Sequence, residues 1–71
     1  MNKIVVAYPV GIHSDQELLN YGDLFQLVLH VHRRLTALFG EGMAEEFANN
    51  CLHSCGTRGA VAVMKQYVDF Q

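Results

Sequence analysis

The chain has 71 residues, of which 51% are hydrophobic, and its five basic and seven acidic side chains give a formal charge of −2. A chain of this length forms one domain at most, so we expect a single compact domain over residues 1–71. Basic residues are adjacent only at Arg33-Arg34, which does not favour a nucleic-acid binder. No apolar run approaches the roughly 18 residues that a membrane-spanning helix needs.

The small size and the high apolar content together predict association. A short domain buries a modest fraction of its surface and commonly relies on a disulfide, a metal or a partner for stability. The residues before position 14 do not have the pattern of a secretory signal, so we expect a cytoplasmic protein. In that compartment two cysteines are typically free thiols, which leaves self-association as the expected source of stability.

The first part of the chain predicts a strand, a turn and a helix start. Residues 3–8, KIVVAY, are rich in β-branched and aromatic side chains, which favours a strand. Pro9 and Gly11 then predict a turn. Ser14, followed three residues later by Glu17, has the spacing of a capping box at the beginning of a helix.

The segment from Leu18 to Phe39 has two rows of apolar residues at helical spacing. The first row alternates steps of three and four residues, like a heptad pattern, and comprises Leu18, Tyr21, Phe25, Val28, His32, Leu35 and Phe39. The second row lies beside it and comprises Leu24, Leu27, Val31 and Leu38. The two rows together form an apolar face that is wider than a helix needs for packing against one neighbour. We therefore expect this helix to contact both its own core and a partner.

Glycines mark the interruption and the end of this helical segment. Gly22 predicts a kink, or a short first helix followed by a long second one, and Asp23 can cap the new start with Gln26 at the reciprocal position. Gly40 predicts the end of the helix as a left-handed residue.

The second half of the chain predicts a shorter helix over residues 43–52, ended by Gly56, and a loop over the GTRG stretch. Residues 60–70 have helical amphipathicity but open with alternating valine and alanine. We favour a strand, because an N-terminal strand needs a backbone partner. The predicted fold is therefore α+β, in the order β-α-α-β, with a long kinked central helix and a two-stranded antiparallel sheet that could extend across a dimer. The alternative is a mostly α protein in which residues 60–70 are helical.

The stretch CLHSC contains Cys51, His53 and Cys55 and raises the question of a zinc or thiol site. Zinc needs four ligands, and the remaining pair would have to be His30 and His32. Two residues apart on a helix means roughly 200° around its axis, so these two rings cannot reach one ion. We therefore expect no cofactor, with a zinc site shared between two copies as the alternative.

No complete catalytic constellation is present, so we expect a non-enzymatic protein-interaction module. It would be a homodimer that binds and inhibits or adapts a larger protein, and small accessory proteins of phages and mobile elements have this character. The expected interface residues are Tyr21, Leu24, Phe25, Leu27, Val28, Val31, His32, Leu35 and Phe39, and the expected contacts to another protein are Arg33, Arg34, Arg58 and Tyr67. Two alternatives stay open: a zinc- or thiol-dependent regulator that uses Cys51, His53 and Cys55, and a minimal enzyme at the dimer interface that uses His32, a tyrosine and Arg58.

Overall fold

The computed structural model describes residues 3–19 and 24–71. This part of the chain is α+β in the broad sense and mostly helical. The elements in chain order are β1 (Ile4–Val6), α1 (Asp15–Leu19), α2 (Leu24–Phe39), α3 (Glu41–Leu52), α4 (Gly56–Tyr67) and β2 (Val68–Phe70). The predicted strand at residues 3–8 and the predicted helix at residues 43–52 are thus confirmed, the strand in a shorter form and the helix with an earlier start.

The last segment corrects the prediction of a strand over residues 60–70. Helix α4 continues to Tyr67, and the strand β2 has three residues. The buried residues of α4 are Val61, Met64 and Tyr67, which are three residues apart and lie on one helix face. Lys65 is exposed, as the helical alternative requires. The GTRG stretch, predicted as a loop, is the first turn of this helix.

The two strands are parallel, and the prediction of an antiparallel sheet is wrong. Ile4 lies opposite Val68, and Val6 lies opposite Phe70. Parallel strands need a long crossover connection, usually helical, and the helices between β1 and β2 provide one. The pairing extends past the strands, because the N–H of Gln71 donates to the carbonyl of Val6 at 3.1 Å and the N–H of Tyr8 donates to the carbonyl of Gln71 at 3.1 Å.

The connection from β1 to α1 agrees with the sequence pattern. The N–H of Ile12 donates to the carbonyl of Pro9 at 3.0 Å, which closes the predicted turn. Glu17 accepts a hydrogen bond from the N–H of His13 at 2.7 Å, one residue before the predicted cap position Ser14. The carboxylate therefore satisfies a backbone donor just before the helix, but this donor is the N–H of His13 and not the N–H of Ser14 that the predicted capping box would use.

The predicted division of the long helical segment falls on residues 20–23, which lie outside the described residues. Gly22, Asp23 and the predicted interface residue Tyr21 lie outside the described residues. Gly40 confirms the predicted helix end, with φ 94° and ψ 177°. Residues with a Cβ atom almost never adopt this backbone conformation. Gly40 therefore permits the change of chain direction between α2 and α3.

The core lies between the sheet and the four helices. Its largest fully buried side chains come from α1, α2, α3, α4 and β2, so every element except β1 contributes at least one. They are Leu18, Val31, Leu35, Phe47, Met64 and Val68. Ile4 and Val6 of β1 complete the packing with 6% and 4% of their surface exposed. One apolar cluster therefore joins all the described elements.

Replacing Gly40 by alanine tests the role of this backbone conformation. We expect Gly40→Ala to lower the free energy of unfolding by about 1–3 kcal/mol, because alanine is strained at this φ and ψ. An added Cβ would have no heavy atom within 4 Å, so the cost comes from the backbone and not from a clash. Urea denaturation followed by circular dichroism measures the change.

The matched control is Gly42→Ala, at a helical position inside α3 where an added Cβ also meets nothing within 4 Å. We expect this variant to be more stable than the parent by about 0.4–1 kcal/mol, since alanine lowers the entropy of the unfolded chain. Equal effects of the two substitutions would contradict the argument from backbone conformation.

A candidate binding groove

The structure divides the apolar residues of α2 differently from the two predicted rows, because the buried side combines Leu27 and Val31 of the second row with Leu35 of the first. Leu27, Val31 and Leu35 are 4%, 0% and 1% exposed and belong to the core. On the neighbouring side of the helix, Val28 is half-buried and Phe25 is exposed. One helix therefore presents apolar side chains in two directions, and the second direction is open.

The open side of α2 forms one wall of a groove, which we call the α2–α3 groove. The end of α3 and the first half of α4 supply the remaining walls, and the volume is about 370 Å³. Its lining residues in the described part of the chain are Leu24, Phe25, Val28, Leu29, His32, Ala48, Cys51, Leu52 and Ala60. This lining contains no Asp, Glu, Lys or Arg.

Two large apolar side chains in this lining are exposed. Phe25 of α2 is 68% exposed, and Leu52, the last residue of α3, is 79% exposed. Single exposed apolar residues are common on protein surfaces, but here both belong to one concave apolar region. This combination is typical of a binding surface and less so of an ordinary exterior.

The polar groups of the groove are the imidazole of His32 and the thiol of Cys51, both on half-buried residues. Burial raises the pKa of the Cys51 thiol above its ordinary value. The thiol is therefore protonated at neutral pH and behaves as a small apolar group. The groove is suited to apolar contacts, and among its described lining residues His32 has the one strongly polar side chain.

The CLHSC stretch is spread over two helices and their connection. Cys51 lies in the last turn of α3, His53 follows the end of that helix, and Cys55 precedes α4. The N–H of His53 donates to the carbonyl of Asn49 at 3.0 Å, so this residue closes the helix end. Within residues 3–19 and 24–71 no three His, Cys, Asp or Glu side chains are close enough to hold a metal ion.

Four of the predicted interface residues, Leu24, Phe25, Val28 and His32, line the groove. Three others need correction, because they are buried in the chain's own core and are not accessible to a partner: Leu27, Val31 and Leu35. Phe39, at the far end of α2, is 49% exposed but is not among the lining residues.

The sequence analysis missed the contributions of Leu29, Ala48, Leu52 and Ala60. Of these, only Leu29 had a signal, since it follows Phe25 by four residues on the same helix.

The predicted contacts to another protein divide into two groups. Arg33, Arg34 and Arg58 are exposed, whereas Tyr67 is 5% exposed and belongs to the core. None of the three arginines lines the α2–α3 groove. His32 and Arg58, the pair of the minimal-enzyme hypothesis, are therefore not combined in this groove.

Tyr67 connects α4 to α3. Its ring packs edge-on against Phe47, with ring centroids 5.2 Å apart and an angle of 79° between the ring planes. Its hydroxyl donates to the carboxylate of Glu46 at 3.1 Å and accepts from the side-chain amide of Asn50 at 3.0 Å. These contacts give Tyr67 a structural role in place of the predicted partner contact.

Comparisons with protein-family models, with curated protein sequences and with solved structures find no match to this chain. In the described part of the chain, no helix is both long enough and apolar enough to cross a membrane. Function has to be inferred from the α2–α3 groove itself.

Replacing Tyr67 by phenylalanine removes both hydrogen bonds and keeps the ring. At about 0.5–1.5 kcal/mol for each hydrogen bond, we expect Tyr67→Phe to lower the free energy of unfolding by about 1–3 kcal/mol at pH 7. Circular dichroism during urea denaturation measures this loss.

The same variant has a predicted pH dependence. Burial raises the pKa of Tyr67 above its ordinary value of 10.0; the bond from Asn50 opposes this shift, and Glu46 adds to it. Because the folded pKa is the higher one, the phenol's contribution to stability is complete below pH 10 and is lost as the pH rises through the folded pKa. We expect the parent to lose more stability than Tyr67→Phe between pH 9 and pH 11. Parallel losses would contradict the assignment.

The two cysteines should differ in reactivity. Cys55 is exposed, whereas Cys51 is half-buried with a raised pKa. Since the thiolate is the reactive form, we expect iodoacetamide to modify Cys55 faster than Cys51 at pH 7.5. Peptide mass spectrometry over a time course measures both rates, with denatured protein as the control in which the difference should disappear.

Proposed function

We propose that this chain is a non-enzymatic protein-interaction module that binds an apolar segment of another protein in the α2–α3 groove. The observation that carries the proposal is the presence of two largely exposed side chains, Phe25 and Leu52, in one groove whose described lining residues carry no charge. As expected from the sequence, such a module would inhibit or adapt a larger protein by covering or presenting a surface.

An amphipathic helix is the partner segment that the shape of the groove favours. The groove lies between helices, and its lining on α2 runs from Leu24 to His32, a length of about 13 Å, which matches two to three turns of a partner helix. In such complexes the apolar side of a helix, with residues at i, i+3, i+4 and i+7, lies in a groove between helices.

The volume of the groove sets the number of anchoring side chains. An apolar cavity of about 150 Å³ in a well-studied protein binds benzene. The α2–α3 groove, at about 370 Å³, accommodates two side chains of the size of leucine or phenylalanine. Full burial of each such side chain contributes about 1.5–3 kcal/mol, so two anchors would contribute about 3–6 kcal/mol, from which the entropic cost of association is subtracted.

A titration with a model peptide tests the proposal. The probe is a 16-residue amphipathic helical peptide with leucines at i, i+3, i+4 and i+7, and the control peptide has the same composition in an order that scatters the leucines. We expect the first peptide to shift the NMR signals of groove residues in ¹⁵N-labelled protein, and the second to have no effect.

Variants of the protein make the test specific. Phe25→Asp and Leu52→Asp place a charge in the groove, and we expect each to raise the Kd of the peptide at least about tenfold, since a buried unpaired charge is costly. Val10→Asp is the matched control, because Val10 is 99% exposed in the Pro9–Ile12 turn and does not line the groove. Binding that is insensitive to Phe25→Asp, or equally weakened by Val10→Asp, would contradict the proposal.

A further inference from the structure

We propose that the outer edge of β1 binds an extended peptide segment of another protein, which adds a strand to the sheet and places one side chain between β1 and α2. The outer edge is the side of β1 that faces away from β2. This contact uses a different surface from the α2–α3 groove and goes beyond the proposed function.

The hydrogen bonds between the two strands identify the backbone groups of the outer edge. The carbonyl of Val6 accepts from the N–H of Gln71, and the N–H of Tyr8 donates to the carbonyl of Gln71. Backbone groups of successive residues in a strand point to opposite edges, so those of Val5 and Ala7 point away from β2. Within residues 3–19 and 24–71, β2 is the one strand that pairs with β1. Two donors and two acceptors are therefore directed at the outer edge.

This arrangement of backbone groups determines the chemistry of the occupant. Val5 and Ala7 are two residues apart, which places their donor and acceptor groups about 7 Å apart along the strand. A second extended backbone presents N–H and C=O groups at the same interval, whereas a helix uses these groups within itself. A purely apolar ligand satisfies none of them. An extended peptide is therefore the occupant that fits, as in complexes formed by strand addition.

A groove beside this edge, which we call the β1–α2 groove, provides space for a side chain of the peptide. Its volume is about 290 Å³, and its lining residues in the described part of the chain are Ala7, Pro9, Gln26, Leu27 and His30. Leu27 is its buried apolar residue, whereas Gln26 and His30 are exposed on α2. A cavity of about 150 Å³ holds a benzene ring, so one side chain of the size of leucine or phenylalanine fits.

The solvent face of the sheet supplies a second contact for the peptide. Parallel sheets are normally covered on both faces. Here Val5 is 52% exposed, and Lys3, Ala7 and Asp69 on the same face are also exposed. Alternate side chains of an added strand would lie next to Val5, where a β-branched residue packs well across the strands. The matching peptide therefore has an apolar residue at the β1–α2 groove and β-branched residues on the solvent face.

Lys3 and Pro9 limit the length of the contact. The ammonium group of Lys3 lies 4.0 Å from the carboxylate of Asp69, at one end of the strand. Pro9 has no N–H, so it cannot donate a hydrogen bond at the other end. Charged residues and prolines are typical of protected edge strands. The peptide therefore pairs only with the stretch between them, residues 4–8, and the long pairing that leads to aggregation is avoided.

The position of α2 argues against a second copy of this chain as the occupant. In a second copy, β1 carries β2 along its other edge. Paired strands lie about 4.8 Å apart, so this β2 would need the space in which α2 bounds the groove with Gln26 and His30. A single extended segment has no further strand behind it and avoids this conflict.

Three capped heptapeptides test the proposal. Each has threonine at the odd positions and valine at positions 2 and 6, and position 4 is valine, leucine or phenylalanine. Peptides of this length are too short to form a stable helix. We expect at least one of them to shift the NMR signals of Val5 and Ala7 in ¹⁵N-labelled protein and to slow hydrogen exchange at both amides. The amide of Tyr8, which is already bonded to Gln71, should change little.

N-methylated versions of the tightest-binding heptapeptide distinguish strand addition from docking through side chains alone. Methylation of alternate residues removes the backbone donors from one edge of the peptide and leaves every side chain in place. We expect methylation of one alternate set to raise the Kd at least about tenfold, because these donors face β1. Methylation of the other set should change the Kd by less than about twofold.

Proline substitutions test the edge from the side of the protein. Ala7→Pro removes one outer-edge donor, and we expect it to raise the Kd of the heptapeptide at least about tenfold. Val10→Pro is the matched control. Val10 is 99% exposed and is the second residue of the turn closed by Pro9 and Ile12, a position that favours proline.

Tryptophan substitutions on α2 provide an independent pair of variants. Gln26→Trp fills the β1–α2 groove and should weaken binding of the heptapeptide about as much as Ala7→Pro. Arg33→Trp adds the same side chain at an exposed position of the same helix that does not line the groove, and should leave binding unchanged. Circular dichroism checks the folding of all four variants. If Ala7→Pro fails to fold, the tryptophan pair still decides the result.

Three results would overturn the proposal. The first is that none of the three heptapeptides shifts the signals of Val5 and Ala7 at millimolar concentration. The second is that the two methylation patterns have equal effects. The third is a dimer in sedimentation equilibrium that Ala7→Pro dissociates, which would assign the edge to a second copy.

The variants also separate this proposal from the proposed function. Phe25→Asp should keep the binding of the heptapeptide and lose that of the helical peptide. Ala7→Pro should have the reverse effect. Failure of one site therefore leaves the test of the other intact.

Discussion

The contact between Phe47 of α3 and Tyr67 of α4 is the interaction on which the rest of the fold depends. Phe47 is fully buried, and the Tyr67 ring packs edge-on against it while Asn50 and Glu46 hold the hydroxyl. Tyr67 is the last residue of α4 and directly precedes β2. Its position therefore places Val68 beside β1. Two strands of three residues are marginal alone, so the sheet relies on this helix contact for its register.

The groove follows from how the apolar residues of α2 are shared between the core and the surface. A 71-residue domain is too small to bury every apolar side chain when 51% of its residues are hydrophobic. Leu27, Val31 and Leu35 occupy the core. Phe25 stays largely exposed on the adjacent side of the helix, where the groove opens. Of the six large apolar side chains that are exposed in the described residues, Phe25 and Leu52 lie together in this groove, which is the physical basis of the proposed interaction.

Helical periodicity identified the apolar residues of α2, but it did not show which of them face the core and which face the groove. The row that contains Phe25, Val28 and His32 and the row that contains Leu27 and Val31 are both apolar, and both have helical spacing. Spacing alone does not say which row faces the core. That choice depends on where α3 and α4 pack. Residues of the groove that come from α3 and α4, such as Leu52, had no sequence signal, because their role exists only once three helices meet.

Local sequence determined the elements whose signals are local: the strand near residue 4, the turn at Pro9 and Gly11, the capped start near Ser14, and the helix end at Gly40. Each depends on the conformational preference of one residue or on a hydrogen bond between near neighbours in the chain. Tertiary structure decided that residues 60–67 are helical, that the two strands are parallel, and that the groove exists. These features depend on contacts between segments distant in sequence, among them Phe47 with Tyr67 and Ile4 with Val68, and no local preference encodes such contacts.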